Sequence, residues 1–364
     1  MKILHIHPSM NGGGIEAMIS ALANEMAEQG HDITVCSIFK PTEDYIFWDK
    51  LSDKVKRAHL GKVKKGFNLK NIFQIFSFIF KGGYDVVHIH GFFYYYAMSV
   101  FLLFRKKAFF YTVHNDATKE NSTWDKRFFF LKKRAFRHNL IHVVTISKSS
   151  EESFEKVYGL VGHTIYNGVP RPVIVGYNTP VDDSRLTPTT KVFINPGRIS
   201  PQKNQEVLCK VFKRIIEEGN DVVLLIAGSN DDHEIYKKLE PYFSDRIKYI
   251  GLRNDIPELM AKADAFCLSS VYEGMPVTLL EAFSVGCIPI CTPVGGIVNV
   301  VKSGENGILS ESCEEESYYK AIKDFLQMGH DDLMNMKKRC VESFAPYDIS
   351  NTAKSYLDFY KKFI

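Results

Sequence analysis

Short apolar runs alternate with amphipathic stretches along nearly the whole chain. Residues 2–7 read as a strand, and 15–29 as a helix stopped by Gly30, since glycine takes the left-handed position past a helix end at little cost. Residues 32–39 form a β-branched strand. Short apolar strands follow at 85–90, 108–114 and 142–146, each ending in polar or small residues. Between 170 and 190 the pattern breaks. Pro170, Pro172, Pro180 and Pro188 fall there among threonines and aspartates with little apolar periodicity, as in a crossing between domains. The pattern then restarts, with a strand at 191–196 and a helix at 204–218 that has Asn204 as N-cap and Gly219 as its stop. Strands at 221–227, 246–250 and 264–269 precede a helix at 276–285, with Pro276 near its first position and Gly286 after its end. A strand at 288–291 follows, and the tail from 314 to 364 reads as helices alone. Buried strands alternating with helices predict parallel, doubly wound sheets. The expected fold class is α/β, with two such domains, 1–170 and 171–345.

In open sheets of this kind ligands bind outside the carboxyl ends of the strands, so chemistry belongs in the loops that follow them. The first candidate is Gly12-Gly13-Gly14-Ile15-Glu16, after the first strand. It reads either as a tight turn or as a place where backbone N–H groups approach a phosphate at a helix N-terminus. A dinucleotide dehydrogenase would carry an acid at the end of the second strand, and that strand ends Ser37-Ile38-Phe39-Lys40. The second candidate is Gly197-Arg198-Ile199-Ser200-Pro201-Gln202-Lys203-Asn204. Two cations on one loop are either surface charges or a pair for the phosphates of a nucleotide diphosphate. In that second role they neutralise a leaving group, as a metal ion does elsewhere. The third is Glu273 through Glu281, with the first acid before a helix and the second inside it among apolar residues. A carboxylate there needs hydrogen-bonding partners, which a ribose diol or sugar hydroxyls would supply. His88 and His90 end one strand and His114 the next. They read as hydrogen-bonding side chains or as part of a metal site, but no neighbouring Asp or Cys completes one. His114 is the better candidate for a sugar contact.

Composition narrows the setting. With 364 residues, 45% hydrophobic and 24% charged, the chain has the balance of a folded two-domain protein. The apolar opening is shorter than a signal peptide requires, and no run reaches the roughly 18 apolar residues of a membrane helix. The seven cysteines include no C-x-x-C, which argues for reduced core thiols and against zinc. A cytoplasmic protein is expected. Charge is uneven: residues 50–137 hold 19 Lys/Arg against 5 Asp/Glu, interleaved with aromatics such as Phe73, Phe80 and the run 92–96. This reads as solvated basic faces over an aromatic core, or as a surface for anionic lipid headgroups. No nucleic-acid motif accompanies the charge.

Taken together, these motifs resemble the retaining glycosyltransferases of family 4, along the whole length and most specifically from 263 to 307. The resemblance implies the GT-B fold, two Rossmann-like domains facing a central cleft, with 1–170 on the acceptor side and 171–345 binding the nucleotide sugar. The segment 346–364 would be a helix crossing back to the first domain. It implies that Arg198 and Lys203 hold the donor diphosphate and Glu281 the ribose. Glu273 and His114 would contact the donor sugar, and Gly13 and Gly14 would close on the phosphates. It also implies a metal-independent, front-face reaction, with no cofactor beyond a UDP-sugar as co-substrate. Many relatives carry a glutamate near the place of Asn299, so no role is given to that side chain. Within the family the opening and the basic N-terminal half look similar to bacterial enzymes of capsule, exopolysaccharide or O-antigen synthesis. Those act on glycan or lipid-linked saccharide acceptors at the inner membrane face. A sugar-nucleotide epimerase of the same fold, or a non-catalytic nucleotide-sugar-binding partner, are the competing classes. The paired Glu273 and Glu281, with Arg198 and Lys203, argue against both.

Overall fold

The computed structural model describes residues 1–11, 13–40, 46–62, 68–118, 126–230 and 232–364. Two units share the chain: Met1–Pro170 with Tyr347–Ile364, and Arg171–Pro346. In the first, β1 (Lys2–His7), β2 (Asp32–Phe39), β3 (Lys56–Lys62), β4 (Val86–His90), β5 (Ala108–Val113), β6 (His142–Thr145) and β7 (His163–Thr164) form one sheet in the order β3-β2-β1-β4-β5-β6-β7. Every pairing is parallel, with His5 of β1 opposite His88 of β4. The central strands β1, β4 and β5 are apolar enough to be buried on both faces, as parallel strands must be. The edge strand β3 instead exposes Lys56 and Arg57, charges that suit a sheet edge.

The run 93–96 (Phe-Tyr-Tyr-Tyr) is core, buried with Ile72, Ile75 and Ile79 of the helix Leu69–Lys81. Two of the basic residues counted as surface charge are interior. Lys132 lies buried with Nζ donating to the Tyr111 hydroxyl at 3.1 Å, and the buried Lys62 donates to Asn71 Oδ1 at 3.2 Å. The C-terminal helix Ile349–Tyr360 belongs to this first unit and buries Tyr356 and Tyr360 against β4 and β5, beside His88 and Phe110.

In the second unit β8 (Lys191–Pro196), β9 (Val222–Ala227), β10 (Ile247–Tyr249), β11 (Ala265–Leu268), β12 (Ile288–Cys291) and β13 (Ile308–Leu309) form a parallel sheet ordered β10-β9-β8-β11-β12-β13. Both sheets reverse strand order once, between β1 and β4 and between β8 and β11. Such a reversal splays the following loops apart and opens a crevice at the carboxyl ends. All seven cysteines are free, and burial pushes the thiols of Cys36, Cys209, Cys267 and Cys340 up to about 12. Among the described residues no helix is long and apolar enough to cross a membrane.

Candidate functional site

The crevice of the second unit gathers the residues that stood out in the sequence. After β8 the chain leaves through Gly197, whose N–H donates to Ala227 O at 2.7 Å, and Ile199 N–H donates to Ser229 O at 2.8 Å. The buried Gln205 side chain reaches back, Nε2 donating to Arg198 O at 3.1 Å, which fixes the loop while the Arg198 side chain stays exposed. Asn204 does precede the helix Gln205–Glu217, but not as the side-chain cap expected of it. Its φ is 51°, left-handed, and its side chain makes no capping bond. Asparagine tolerates that conformation better than most residues, and here it turns the loop into the helix.

The loop after β11 is tied to this one. Ser269 Oγ donates to Lys203 O at 3.0 Å and Asn204 O at 3.1 Å, and Val271 N–H donates to Gln202 O at 2.9 Å. Lys203 lays its stem against Gly197 and donates from Nζ to Glu273 Oε1 at 2.6 Å. Ser270 Oγ donates to the same oxygen at 2.6 Å, and Gln202 Nε2 approaches Oε2 at 3.5 Å. Glu273 is only 8% exposed, and these donors offset the desolvation of its charge. The backbone beneath it is clamped by the loop after β12. Gly295 has φ 53°, and a Cβ there would lie 1.8 Å from Glu273 O. Gly296 N–H donates to Gly274 O at 2.7 Å. Pro276 sits just before the helix Val277–Val285, and Gly286 closes it in the left-handed conformation. Glu281 lies half-buried in that helix, with Leu280 and Ala282 buried on either side.

In the first unit Gly13 is the N-cap of the helix Gly14–Glu28 that follows β1, and Gly14 is its first residue. Gly12 lies outside the described residues. His114, just past β5, is buried with Nε2 at 2.8 Å from His90 Nδ1. His90 Nε2 lies 3.2 Å from His5 Nδ1. His88 stacks on His90 with ring centroids 4.3 Å apart but bonds elsewhere, Nδ1 at 2.5 Å from the Tyr360 hydroxyl and Nε2 at 2.7 Å from Thr112 Oγ1. Burial lowers His5 and His114 to about 3 and His88 and His90 well below the usual range, so all four rings are neutral at ordinary pH. The sequence had shown no third partner for His88 and His90. That partner is His5, and one nitrogen from each of the three lies within 4.8 Å of the others. The legible signal was the spacing: His5 and His7, like His88 and His90, are two apart, which puts each pair on one face of its strand.

Residues 12–171 match the family profile described as Glycosyltransferase Family 4, and 181–343 the profile described as Glycosyl transferases group 1. Together they take in most of both units, and the chain belongs to the family 4 glycosyltransferases. Among its relatives, the Escherichia coli UDP-Gal:alpha-D-GlcNAc-diphosphoundecaprenol alpha-1,3-galactosyltransferase is 33% identical over 41% of this chain and 39% of its own length. The Campylobacter jejuni N,N'-diacetylbacillosaminyl-diphospho-undecaprenol alpha-1,3-N-acetylgalactosaminyltransferase is 27% identical over 38% of this chain and 37% of its own. The chain thus spans less than two-fifths of the length of these curated relatives. The GT-B fold is shared with the crystal structure of Anabaena HepE in complex with UDP-glucose, at TM-score 0.81, 19% identity and full coverage of both chains. It is shared also with WaaG of lipopolysaccharide biosynthesis, at TM-score 0.75, 13% identity and 98% of this chain against 99% of that one.

Proposed function

We propose that the protein is a retaining, metal-independent glycosyltransferase. It moves a hexose or N-acetylhexosamine from a nucleotide diphosphate sugar, with UDP as the nucleotide, to a glycan or lipid-linked saccharide in cell-surface polysaccharide synthesis. The observation that carries this reading is the Lys203–Glu273 pair at the strand-order reversal, with Arg198 exposed on the same loop as the lysine. Arg198 and Lys203 take the diphosphate and neutralise the charge that grows on it as the glycosidic bond breaks. Glu273, at the mouth of the helix Val277–Val285, contacts the sugar hydroxyls, and Glu281 in that helix takes the ribose. His114 and the backbone of Gly13 and Gly14 serve the same reaction from the first unit. A nucleotide sugar as donor and a lipid diphosphate sugar as acceptor agree with the activity for which the Escherichia coli relative is named. Thermal shift and hydrolysis across UDP-, GDP- and ADP-sugars test it. A UDP-sugar should stabilise the protein and be turned over on a saccharide acceptor. No response to any nucleotide sugar, or isomerisation of the sugar without acceptor, would overturn it.

The acceptor side of this reading includes an anionic membrane surface at the cytoplasmic face. The helix Leu69–Lys81 is apolar on two sides. Ile72, Ile75 and Ile79 face the core, while Leu69, Phe73 and Phe80 stay 61%, 59% and 53% exposed at helical spacing. Lys70 and Lys81 on the same helix are exposed, as are Phe130, Arg134 and Arg137 of the helix Phe129–Arg137. Aromatics beside cations suit a headgroup layer. Flotation with vesicles of phosphatidylglycerol and phosphatidylcholine should show binding that salt weakens and that Phe73→Ser with Phe80→Ser abolishes. Equal recovery with neutral vesicles, or none with either, would remove the membrane part.

A further inference from the structure

β1 ends at His7 beside β4, where the strand order of the first sheet reverses, so His7 stands at the mouth of that crevice. Its ring is held by the turn that follows, with Nδ1 at 2.5 Å from Ser9 O. A carbonyl oxygen only accepts, so Nδ1 carries the proton of that bond. Ser9 N–H also approaches Nδ1, at 3.4 Å, too long to compete. The neutral ring therefore presents a bare lone pair on Nε2. Glu16, in the first turn of the helix Gly14–Glu28, brings Oε1 to 4.0 Å from the same Nδ1, beyond hydrogen-bond reach. Among the described residues neither His7 Nε2 nor the Glu16 carboxylate has a hydrogen-bond partner, and no lysine or arginine pairs with Glu16. The two side chains are largely covered, yet 11% and 13% of their surface stays open, and Nε2 is not sealed in the interior.

Two covered acceptors without donors are costly unless a ligand supplies N–H or O–H groups. A phosphate brings only acceptor oxygens and a charge that Glu16 repels, whereas a saccharide brings hydroxyl donors. We propose that His7 and Glu16 take hydroxyl groups of the saccharide acceptor, one O–H donating to His7 Nε2 and another to the Glu16 carboxylate. The assignment to the acceptor rests on the reading of the protein as a transferase onto a saccharide; the tautomer of His7 does not. The rival is a purely local role, in which His7 closes its turn through Ser9 O. That role uses Nδ1 alone and gives Nε2 nothing to do.

The full chain labelled with 15N-histidine gives the test, through long-range 1H–15N spectra with His7 assigned by His7→Asn. At pH 8 the free protein should show a protonated Nδ1 and a bare Nε2 on His7. The octyl glycosides of glucose, galactose and N-acetylglucosamine are then titrated in, below their micelle concentrations, and at least one should move the Nε2 resonance. A protonated Nε2 in the free protein, no movement with any of the three, or a movement that 1-octanol reproduces would overturn the proposal. His7→Asn puts an amide N–H in the place of Nδ1 and nothing in the place of Nε2. It should keep the melting temperature, since Ser9 O keeps its donor. It should raise the KM for the octyl glycoside that is glycosylated by roughly three- to tenfold, the worth of one hydrogen bond. His7→Gln, whose Oε1 stands where Nε2 stood, should bring that KM back towards wild type. An unchanged KM in His7→Asn would reduce His7 to its turn and overturn the proposal as well. The titration needs no turnover, so it decides the contact even if no nucleotide sugar proves to be the substrate.

Discussion

Gly295→Ala isolates the clamp under Glu273. The added Cβ would stand 1.8 Å from Glu273 O and 2.7 Å from its carbonyl carbon, while real Cβ atoms keep at least 3.0 Å from such neighbours. The two loops must therefore part by at least 1.2 Å along that contact, and the 2.7 Å bond from Gly296 N–H to Gly274 O goes with them. A shift of about 1 Å in a group that holds substrate costs on the order of 100-fold in rate. Alanine at φ 53° adds left-handed strain of about 1–2 kcal/mol, which lowers Tm by about 2–4 °C per kcal/mol in a unit of this size. Strain and displacement are separable. Gly304 has φ 82° with nothing within 4 Å of its added Cβ, so Gly304→Ala carries the strain without the clash. Steady-state transfer from a nucleotide sugar, with melting curves for both variants, should show comparable losses of stability but a turnover defect in Gly295→Ala alone. If Gly295→Ala turns over within twofold of wild type, the position of Glu273 does not govern the reaction and the site assignment fails.

Other perturbations follow the same geometry. Lys203→Met should destabilise the fold by roughly 1–3 kcal/mol, because it leaves the buried Glu273 charge on Ser270 and Gln202 alone. Lys203→Met with Glu273→Gln should recover most of that in chemical denaturation yet remain inactive, and a double variant as unstable as the single one would contradict the pairing. Gly228→Ala places a Cβ 2.1 Å from Gly197 O, so it should displace the Arg198 loop and weaken UDP binding by about tenfold or more in titration calorimetry, since 1.4 kcal/mol is tenfold. Acid should open the first unit before the second. His5 and His114 titrate near 3 when folded but near 6.5 when unfolded, so the unfolded chain binds more protons in between and stability falls with pH. The contribution is complete above about pH 6.5, and each ring costs roughly 2 kcal/mol by pH 5. Hydrogen exchange should therefore show β1 and β5 losing protection at pH 5 while β8 and β11 keep theirs, and equal protection at pH 5 and pH 7 would refute it.

What was legible in the chain was what is local. The central strands announce themselves because burial on both faces leaves them mostly apolar, and the loops at 197–204 and 273–281 stand out because glycine, proline and charge break those runs. β3 was not legible because its charged side chains face solvent at a sheet edge, so it has no buried pattern to display. Asn204 reads as a cap from its residue type, and only the backbone shows that it turns the loop left-handed instead. Lys62 and Lys132 count as surface charge until their stems are seen buried with the head groups on Asn71 and Tyr111. His5 joins His90 only because β1 and β4 are neighbours in a sheet order that no local pattern encodes.

The same strand order changes how the donor residues relate to one another. In the proposed function Lys203 takes the phosphates and Glu273 the sugar, two duties on loops 70 residues apart. Because β8 and β11 are adjacent, the two side chains share one hydrogen bond, and Glu273 Oε1 is occupied by Lys203 and Ser270 together. An anion that draws the lysine toward itself leaves that carboxylate oxygen to Ser270 alone, so that it can take a second donor in the lysine's place. Phosphate engagement and release of the acid for a sugar hydroxyl are then one event rather than two. A nucleotide diphosphate without its sugar should consequently raise the affinity of the site for a free monosaccharide, and binding of the two that proves independent would separate the duties again.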